Sequence, residues 1–265
     1  VRDFDKAGHF LMMATAGGLV KKTKLEAYSR PRQGGIIAIK LREGDELVDV
    51  VVTKPNDEVV LSTANGMAIR FKESDARPMG RNSSGVRGIS LTEGDRLVGM
   101  VVAQPEATLL TACANGYGKR TLFGPGDSVD KSDSENEESG STGRYRTQRR
   151  GGKGVRDIKT TSRNGPAIGI TRVTDGDEIM IMTARGKIQR IAASDINVIG
   201  RNTQGVRIMS IDGDDALVAV VRVPKEEGNE GAEQDAGSDE TESSGDAGTN
   251  NSPDTTATEI DNAED

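Results

Sequence analysis

The chain repeats one β-hairpin pattern four times, and this repeat constrains its fold more than any other feature. Each copy has an apolar strand, a tight turn with glycine and a second strand that ends in cations. Asn65-Gly66 and Asn115-Gly116 predict type I′ turns, in which both central residues need positive φ angles. The copies are ATAGGLVKKT (14–23), STANGMAIRF (62–71), ACANGYGKRT (112–121) and MTARGKIQRI (182–191).

A second pattern, centred on a glycine, follows each hairpin. Its copies are RQGGIIAIKL (32–41), SSGVRGISL (83–91), RGGKGVRDIK (150–159) and TQGVRIMSI (203–211), which align on Gly35, Gly85, Gly154 and Gly205. The spacings between these glycines are 50, 69 and 51 residues. The long spacing contains an acidic insertion of about 20 residues, at about 123–143, and subtracting it restores the common period.

Short β-branched runs complete each unit, as in EGDELVDVVV (43–52), and with 33 glycines they favour strands over helical repeats. A blade of this size cannot bury both faces alone, so neighbouring blades must supply the core. We therefore predict an all-β, propeller-like array of four visible four-stranded blades within residues 1–223. The predicted units are 9–56, 57–106, 107–176 and 177–223, and the insertion is predicted to be a mobile acidic loop.

The charge of the chain is distributed unevenly. Its net charge is -7, but residues 224–265 hold 14 acids and one lysine, so residues 1–223 carry +6. The stretch 126–140 contributes -5, which leaves the remaining body at +11. Residues 224–265 lack the apolar content to fold, and we predict a disordered acidic tail. Tethered to a basic body, this tail is expected to compete with a polyanion for the same surface.

Cations recur at the ends of the hairpins and beside the glycine pattern. In an array of blades these positions would repeat along a rim, which suits duplex DNA, whose own charge is periodic. For any single cation the alternative is a strand-edge charge that prevents edge-to-edge aggregation. The predicted rim residues are Lys21, Lys22, Arg30, Arg32, Arg70, Lys72, Arg81, Arg87, Lys119, Arg120, Lys187, Arg190, Arg201 and Arg207.

The densest basic motif is QRRGGKG at 148–154. Its glycines allow the backbone to approach a phosphate and offer unblocked N–H donors, while Gln148 can add a hydrogen bond. It is not a nucleotide-binding phosphate loop, because Gly154 stands where Ser or Thr should follow the lysine. Aromatic residues are only 3% of the chain, which argues against stacking on single strands.

Catalytic and metal sites are not expected in this segment. One histidine, His9, and one cysteine, Cys113, cannot build a zinc site, and a lone cysteine excludes an internal disulfide. No apolar run approaches the length of a membrane span, and cysteine usage fits a reducing cytoplasm. The start at Val1, with a strand-like segment soon after, suggests a fragment of a longer chain.

The motifs QRRGGKG (148–154), NGYGKRT (115–121), MGRNSSGVRGISL (79–91) and IGRNTQGVRIMSI (199–211) closely resemble those of the C-terminal domains of DNA gyrase A subunits. The resemblance covers roughly residues 1–223. It implies a β-pinwheel of propeller-like blades with duplex DNA bent around a basic outer rim. It also carries the family's DNA-holding box onto Gln148, Arg149, Arg150, Gly151, Gly152, Lys153 and Gly154.

The resemblance further implies a parent enzyme that introduces negative supercoils by ATP-dependent strand passage. That parent would pair two A subunits with two B subunits in the bacterial cytoplasm, at the nucleoid, and would use ATP and Mg²⁺ through other domains. No cofactor is implied for this fragment. The DNA-cleaving domain has no counterpart here, so Tyr28, Tyr117 and Tyr145 are not assigned its catalytic role.

One departure bears on the box. The family's main box lies in the first blade, whereas this one lies in the third visible repeat. The four units therefore resemble the last blades, and the box resembles a second, auxiliary copy. Two alternatives stay open: the corresponding C-terminal domain of topoisomerase IV, with decatenation and weaker wrapping, and a propeller-like scaffold that binds proteins.

Overall fold

The computed structural model describes residues 4–124 and 144–223, which lie within one compact unit, Val1–Lys225. The predicted acidic tail and residues 125–143 of the predicted loop lie outside the described residues. The two flanks of the loop continue the repeat in register. Phe123 and Gly154 occupy the same places in the third unit as Glu73 and Gly85 in the second. Gly154 lies 31 positions after Phe123, and removing the 19 residues of the loop leaves the interval that separates Gly85 from Glu73.

Fifteen β-strands and three short 3₁₀ helices form the described part of the chain. The first sheet contains β1 (Phe10–Thr15), β2 (Leu19–Lys24), β3 (Leu47–Thr53) and β6 (Val86–Arg87), and the second contains β4 (Glu58–Thr63), β5 (Met67–Lys72), β7 (Leu97–Val102) and β10 (Val155–Arg156). The third contains β8 (Thr108–Cys113), β9 (Tyr117–Leu122), β11 (Ala167–Val173) and β14 (Val206–Arg207). The fourth contains β12 (Glu178–Thr183), β13 (Ile188–Ala192) and β15 (Leu217–Val223), and the 3₁₀ helices are Leu25–Tyr28, Glu73–Asp75 and Ala193–Asp195.

The fourth strand of each of the first three sheets comes from the following unit. Strand β6 pairs with β2, β10 with β5 and β14 with β9, in each case antiparallel. In the fourth sheet no further strand pairs with β13 among the described residues, so β13 and β15 are its two edge strands. The all-β array of four blades is thus confirmed, with four strands in three of the sheets and three in the last.

The hairpin turns differ from the type I′ prediction, which is wrong. Gly66 has a φ of 76°, but Asn65 has no positive φ. The Gly66 N–H donates to Thr63 O at 2.9 Å, so Ala64 and Asn65 are the central residues of the turn. This is the three-residue loop in which glycine follows a type I turn in the left-handed region. A Cβ on Gly66 would lie 2.1 Å from the carbonyl oxygen of Ile158 in the next unit.

The core lies between neighbouring sheets, as the short blades require. One cluster joins the first two sheets through buried residues such as Met12, Leu61 and Met100. Another joins the third and fourth sheets through Leu110 and Ile181. The strand that follows each hairpin packs against its counterparts in the neighbouring units: β7 contacts β3 and β11, and β11 contacts β15. The second hairpin strand is left at the opposite side, where the next unit pairs with it.

Candidate nucleic-acid interface

Three segments, here called clasps, carry the glycine pattern across the outer hairpin strand of the preceding unit: residues 78–91, 147–160 and 198–211. The clasp at 147–160 begins with Gln148 N–H donating to Arg70 O at 2.7 Å. It ends with Asp157 N–H donating to Gly66 O at 2.8 Å. The same bonds recur from Met79 to Lys22 and Gly88 to Gly18, and from Ile199 to Arg120 and Ile208 to Gly116, at distances between 2.8 and 2.9 Å.

Glycine is required where the clasp lies against the strand. Gly154 has a φ of 79°, and a Cβ there would stand 2.3 Å from Ala68 O. Gly85 and Gly205 repeat this geometry, with Cβ positions 2.5 Å from Val20 O and 2.7 Å from Gly118 O. These glycines are therefore needed for each clasp to pack against the strand of the preceding unit.

Adjacent clasps are also bonded to each other. Arg150 donates to Arg87 O, and Arg201 donates to Arg156 O at 3.1 Å. Arg81 donates in the same way at 3.3 Å to Ile37 O, which lies in the first unit and outside the three clasps. These three arginines occupy the same place in the repeat and are half-buried. Backbone bonds add to them, including Gly151 N–H to Gly88 O at 2.7 Å. The clasps therefore lie side by side as one continuous surface, which we call the rim.

The box lies in the clasp at 147–160 and is partly open to solvent. Arg149, Gly152 and Lys153 are exposed, while Gln148, Arg150, Gly151 and Gly154 are half-buried. Arg150 additionally donates to Asp75 O at 3.2 Å. The Nε2 of Gln148 is buried without a hydrogen-bond partner among the described residues. The box therefore presents two cations to solvent, Arg149 and Lys153, and uses Arg150 to join clasps.

The other predicted rim residues divide by exposure. Exposed cations are Arg30, Arg32, Lys72, Arg87, Lys187, Arg190 and Arg207, and Arg81 and Arg201 are half-buried. Arg190 is paired with Glu178 on the neighbouring strand. The DNA-binding role of these residues stays a prediction.

Five predicted rim cations are buried, and their expected place on the surface is wrong: Lys21, Lys22, Arg70, Lys119 and Arg120. They lie on the outer hairpin strands that the clasps cover. A cation enclosed in this way cannot reach a phosphate, and it instead satisfies carbonyl and carboxylate groups.

Each buried cation ties its strand to other parts of the fold. Arg70 donates to Phe123 O at 2.7 Å and to Tyr145 O at 3.2 Å, and it pairs with Glu58 at 2.5 Å. It thereby holds the two flanks of the loop insertion together. Arg120 donates to Ile196 O at 2.8 Å and pairs with Asp175, and Lys22 pairs with Glu73.

Lys21 donates to Ala38 O at 2.5 Å and to Arg81 O, so it joins the clasp at 78–91 to the first unit. Burial, followed by the charge of Arg81, lowers the pKa of Lys21 to about 8.

Behind the box lies a polar network found in the third unit. The carboxylate of Asp157 accepts hydrogen bonds from Lys119 Nζ at 2.8 Å, Tyr145 Oη at 2.5 Å and Thr111 Oγ1 at 2.8 Å. Lys119, Asp157 and Tyr145 are all buried. Burial, and next the charge of Asp157, raises the pKa of Tyr145 well above its ordinary value. Because Tyr145 precedes the box and Asp157 follows it, this network fixes both ends of the box loop.

The structure adds exposed cations that the sequence reasoning did not single out: Lys40, Arg156, Lys159 and Arg163. Arg156 stands at the same place in its clasp as Arg87 and Arg207, so alignment of the repeats could have identified it. Arg163 has no such signal, because its turn departs from the other three units.

Metal-binding and membrane-spanning features are both missing from the described residues. No group of three or more His, Cys, Asp and Glu side chains is placed there to hold a metal ion. No helix in the same ranges has the length and apolar character that a membrane crossing requires.

A family model described as the DNA gyrase C-terminal domain, a beta-propeller, matches residues 9–54, 57–104, 141–172 and 177–224. The DNA gyrase A subunit of Clostridium acetobutylicum is 45% identical over 252 residues, which cover 95% of this chain and 28% of that protein. The corresponding gyrase protein of Klebsiella oxytoca is 41% identical over 223 residues, covering 84% and 23%. The chain thus spans about a quarter of the length of these relatives.

Solved structures share the fold. A DNA gyrase A C-terminal domain aligns with a TM-score of 0.68 at 24% identity, covering 84% of this chain and 68% of that one. A C-terminal domain of DNA topoisomerase IV aligns with a TM-score of 0.71 at 25% identity, covering 84% and 64%.

Proposed function

Because the chain belongs to the family of DNA gyrase C-terminal domains, we propose that its rim binds duplex DNA and bends it around the array of blades. The observation that carries this proposal is the side-by-side packing of the clasps. It brings Arg87, Arg156 and Arg207 to equivalent exposed places on successive blades. Regularly placed cations on one surface match the regular phosphates of a duplex.

Contacts with phosphates read no bases, so binding should tolerate most base sequences. Bending a site of 20–30 base pairs by 40–90° costs about 1–6 kcal/mol, which many phosphate contacts must offset. Cations supply such contacts through counterion release, so affinity should fall steeply with salt. The exposed Arg149 and Lys153 of the box add two positive charges to the middle of this surface.

We propose further that the bent duplex is the segment passed by a gyrase. The chain would then act as the DNA-handling part of one subunit of a cytoplasmic type II topoisomerase, beside the B subunits and a second copy of its own parent chain. ATP and Mg²⁺ would be used by other domains of that assembly, whose strand passage yields negative supercoils. The gyrase names of the relatives and the intact QRRGGKG support this role over that of topoisomerase IV.

Ligation of nicked circular DNA in the presence of the protein tests the proposal. A wrapped duplex shifts the topoisomer distribution, whereas simple adhesion leaves it centred. The charge reversals Arg149→Glu and Lys153→Glu, combined, should reduce the shift and the steepness of the salt dependence, since both side chains are exposed. The double reversal Lys54→Glu with Arg96→Glu, at exposed positions outside the clasps, is the control matched in charge. A centred distribution with the unmodified protein, or an affinity indifferent to salt, would contradict DNA wrapping.

A further inference from the structure

The turn that precedes β11 differs in charge from its counterparts in the other units. Residues 43–46 and 212–215 hold three acids each, and residues 93–96 hold two acids and one arginine. Residues 162–165 hold Arg163 and no acid. The unit that carries the box has therefore exchanged an acidic turn for a basic one.

This turn is firmly built without a carboxylate. Asn164 is buried, and its Nδ2 donates to Lys159 O at 3.0 Å and Gln204 O at 3.1 Å. Its Oδ1 accepts from Thr161 N–H at 2.8 Å. Asn115, at the tip of the β8–β9 hairpin, donates through Nδ2 to Arg163 O at 3.2 Å. The backbone that carries Arg163 is thus held by two asparagine side chains.

The acids of the other units have a structural task that the basic turn performs differently. Asp95 accepts the N–H of Asn65, at the tip of the preceding hairpin, at 2.9 Å. In the third unit Asn115 N–H donates instead to the carbonyl oxygen of Asn164, at 3.0 Å. The hairpin tip keeps a hydrogen bond, and the negative charge is gone.

Two guanidinium groups converge on one phenol at this turn. Arg163 Nε and Arg207 Nη2 lie 3.2 and 3.3 Å from Tyr117 Oη, and both groups also lie against the face of its ring, 5.1 and 5.7 Å from the centroid. Tyr117 is buried, whereas both arginines are exposed. Among the described residues, neither arginine has a carboxylate within ion-pair distance.

We propose that Arg163, Tyr117 and Arg207 form a phosphate clamp that binds a phosphodiester group of the duplex at the rim. Both guanidinium groups donate to Tyr117 Oη, and their remaining N–H groups have no hydrogen-bond partner among the described residues. Two guanidinium groups held together without a carboxylate repel each other, and a phosphate between them relieves that repulsion while accepting paired hydrogen bonds. Arg207 belongs to the same row as Arg87 and Arg156, so the clamp extends the rim beyond the box. This inference rests on the proposed function for the identity of the polyanion.

The pKa of Tyr117 can report whether a phosphate is bound in the clamp. Hydrogen bonds from Arg163, followed by those from Arg207, lower the pKa of the Tyr117 phenol. A phosphate bound to the guanidinium groups would offset their field and draw away their N–H donors. The pKa of Tyr117 should then rise toward its ordinary value.

The test uses the full chain and follows tyrosinate absorbance during pH titration, with and without a short duplex. The transition that disappears in Tyr117→Phe belongs to Tyr117. The duplex should move this transition to higher pH in the unmodified protein, and the shift should vanish in Arg163→Gln. In binding assays Arg163→Gln should lower the slope of log affinity against log salt by about one, and the control Arg96→Gln should not.

The possible outcomes separate the clamp from the function. If Arg163→Gln behaves as Arg96→Gln does while the box reversals weaken binding, the clamp is refuted and DNA binding stands. If the unmodified protein binds no duplex, the proposed function fails. The clamp is then decided by inorganic phosphate against chloride at equal ionic strength. A Tyr117 shift that depends on Arg163 upholds it, and an unchanged titration overturns it.

Discussion

The buried network behind the box predicts a large and specific loss of stability when Lys119 is replaced by methionine. Methionine keeps most of the side-chain volume and removes the charge. Lys119 and Asp157 are both 0% exposed, and their charged atoms lie 2.8 Å apart. The replacement leaves the Asp157 carboxylate buried with only the hydroxyl donors of Tyr145 and Thr111.

The magnitude follows from the burial of the pair. Breaking a buried ion pair by removing one partner costs about 3–5 kcal/mol. For a domain of about 200 residues, each kcal/mol lowers Tm by roughly 2–4 °C. We therefore expect Lys119→Met to lower Tm by about 6–20 °C. Lys153→Met, on the exposed side of the same loop, should change the free energy of unfolding by less than about 0.5 kcal/mol.

Urea unfolding of the two single variants and their combination measures the coupling. Asp157→Asn alone leaves the lysine buried without a counter-charge, and Lys119→Met with Asp157→Asn removes both charges. The loss of stability in the double variant should therefore be smaller than the sum of the two single losses, by about 1–3 kcal/mol. A loss below about 1 kcal/mol for Lys119→Met, or strict additivity, would refute the reasoning.

Three further predictions follow from single features. Gly154→Ala should cost about 2 kcal/mol or more in urea unfolding, because its positive φ and the 2.3 Å approach to the strand exclude a Cβ, whereas Gly176→Ala, in open space, should cost little; equal losses would contradict this role. The pKa of Lys21 is lowered from 10.5 to about 8, so between these pH values the unfolded chain binds a proton that the folded chain does not. The free energy of unfolding, measured relative to that of Lys21→Met, should therefore rise with pH between about 8 and 10.5. A difference that stays constant over this range would contradict the prediction. Deleting residues 224–265 should tighten duplex binding at low salt by removing a charge of -13, and an unchanged affinity would exclude competition by the tail.

The number of blades and the location of their hairpins could be predicted from the sequence, because both follow from local repetition. The exchange of strands could not. The glycine pattern lies in the same repeat as the hairpin before it, yet it pairs with the hairpin one unit earlier, as when β10 joins β5. Nothing in the local pattern distinguishes these two pairings, since both use the same extended backbone. The prediction of the turn type considered only the hairpin itself, whereas Gly66 also lies against the backbone of Ile158 in the next unit.

The burial of the cations had a signal that periodicity alone does not reveal. At the position of Lys119 the second and fourth units have Ile69 and Gln189, and at that of Asp157 they have Gly88 and Ile208. The third unit thus departs from the repeat at two places with opposite charges, which is typical of a contact between them. For Lys21 no matching acid exists, and only the structure shows that backbone carbonyls receive its ammonium group.

The division of the cations into two kinds has a mechanical consequence for any duplex on the rim. Arg150 and Arg201 donate to the carbonyl oxygens of Arg87 and Arg156 in the preceding clasp, and the side chains of Arg87 and Arg156 are themselves exposed. The separation between exposed charges on successive blades is therefore set by hydrogen bonds of the backbone and not by flexible side chains. A duplex that follows this spacing must itself bend, and its affinity should depend on base sequence only through the ease of bending, which flexible pyrimidine–purine steps increase.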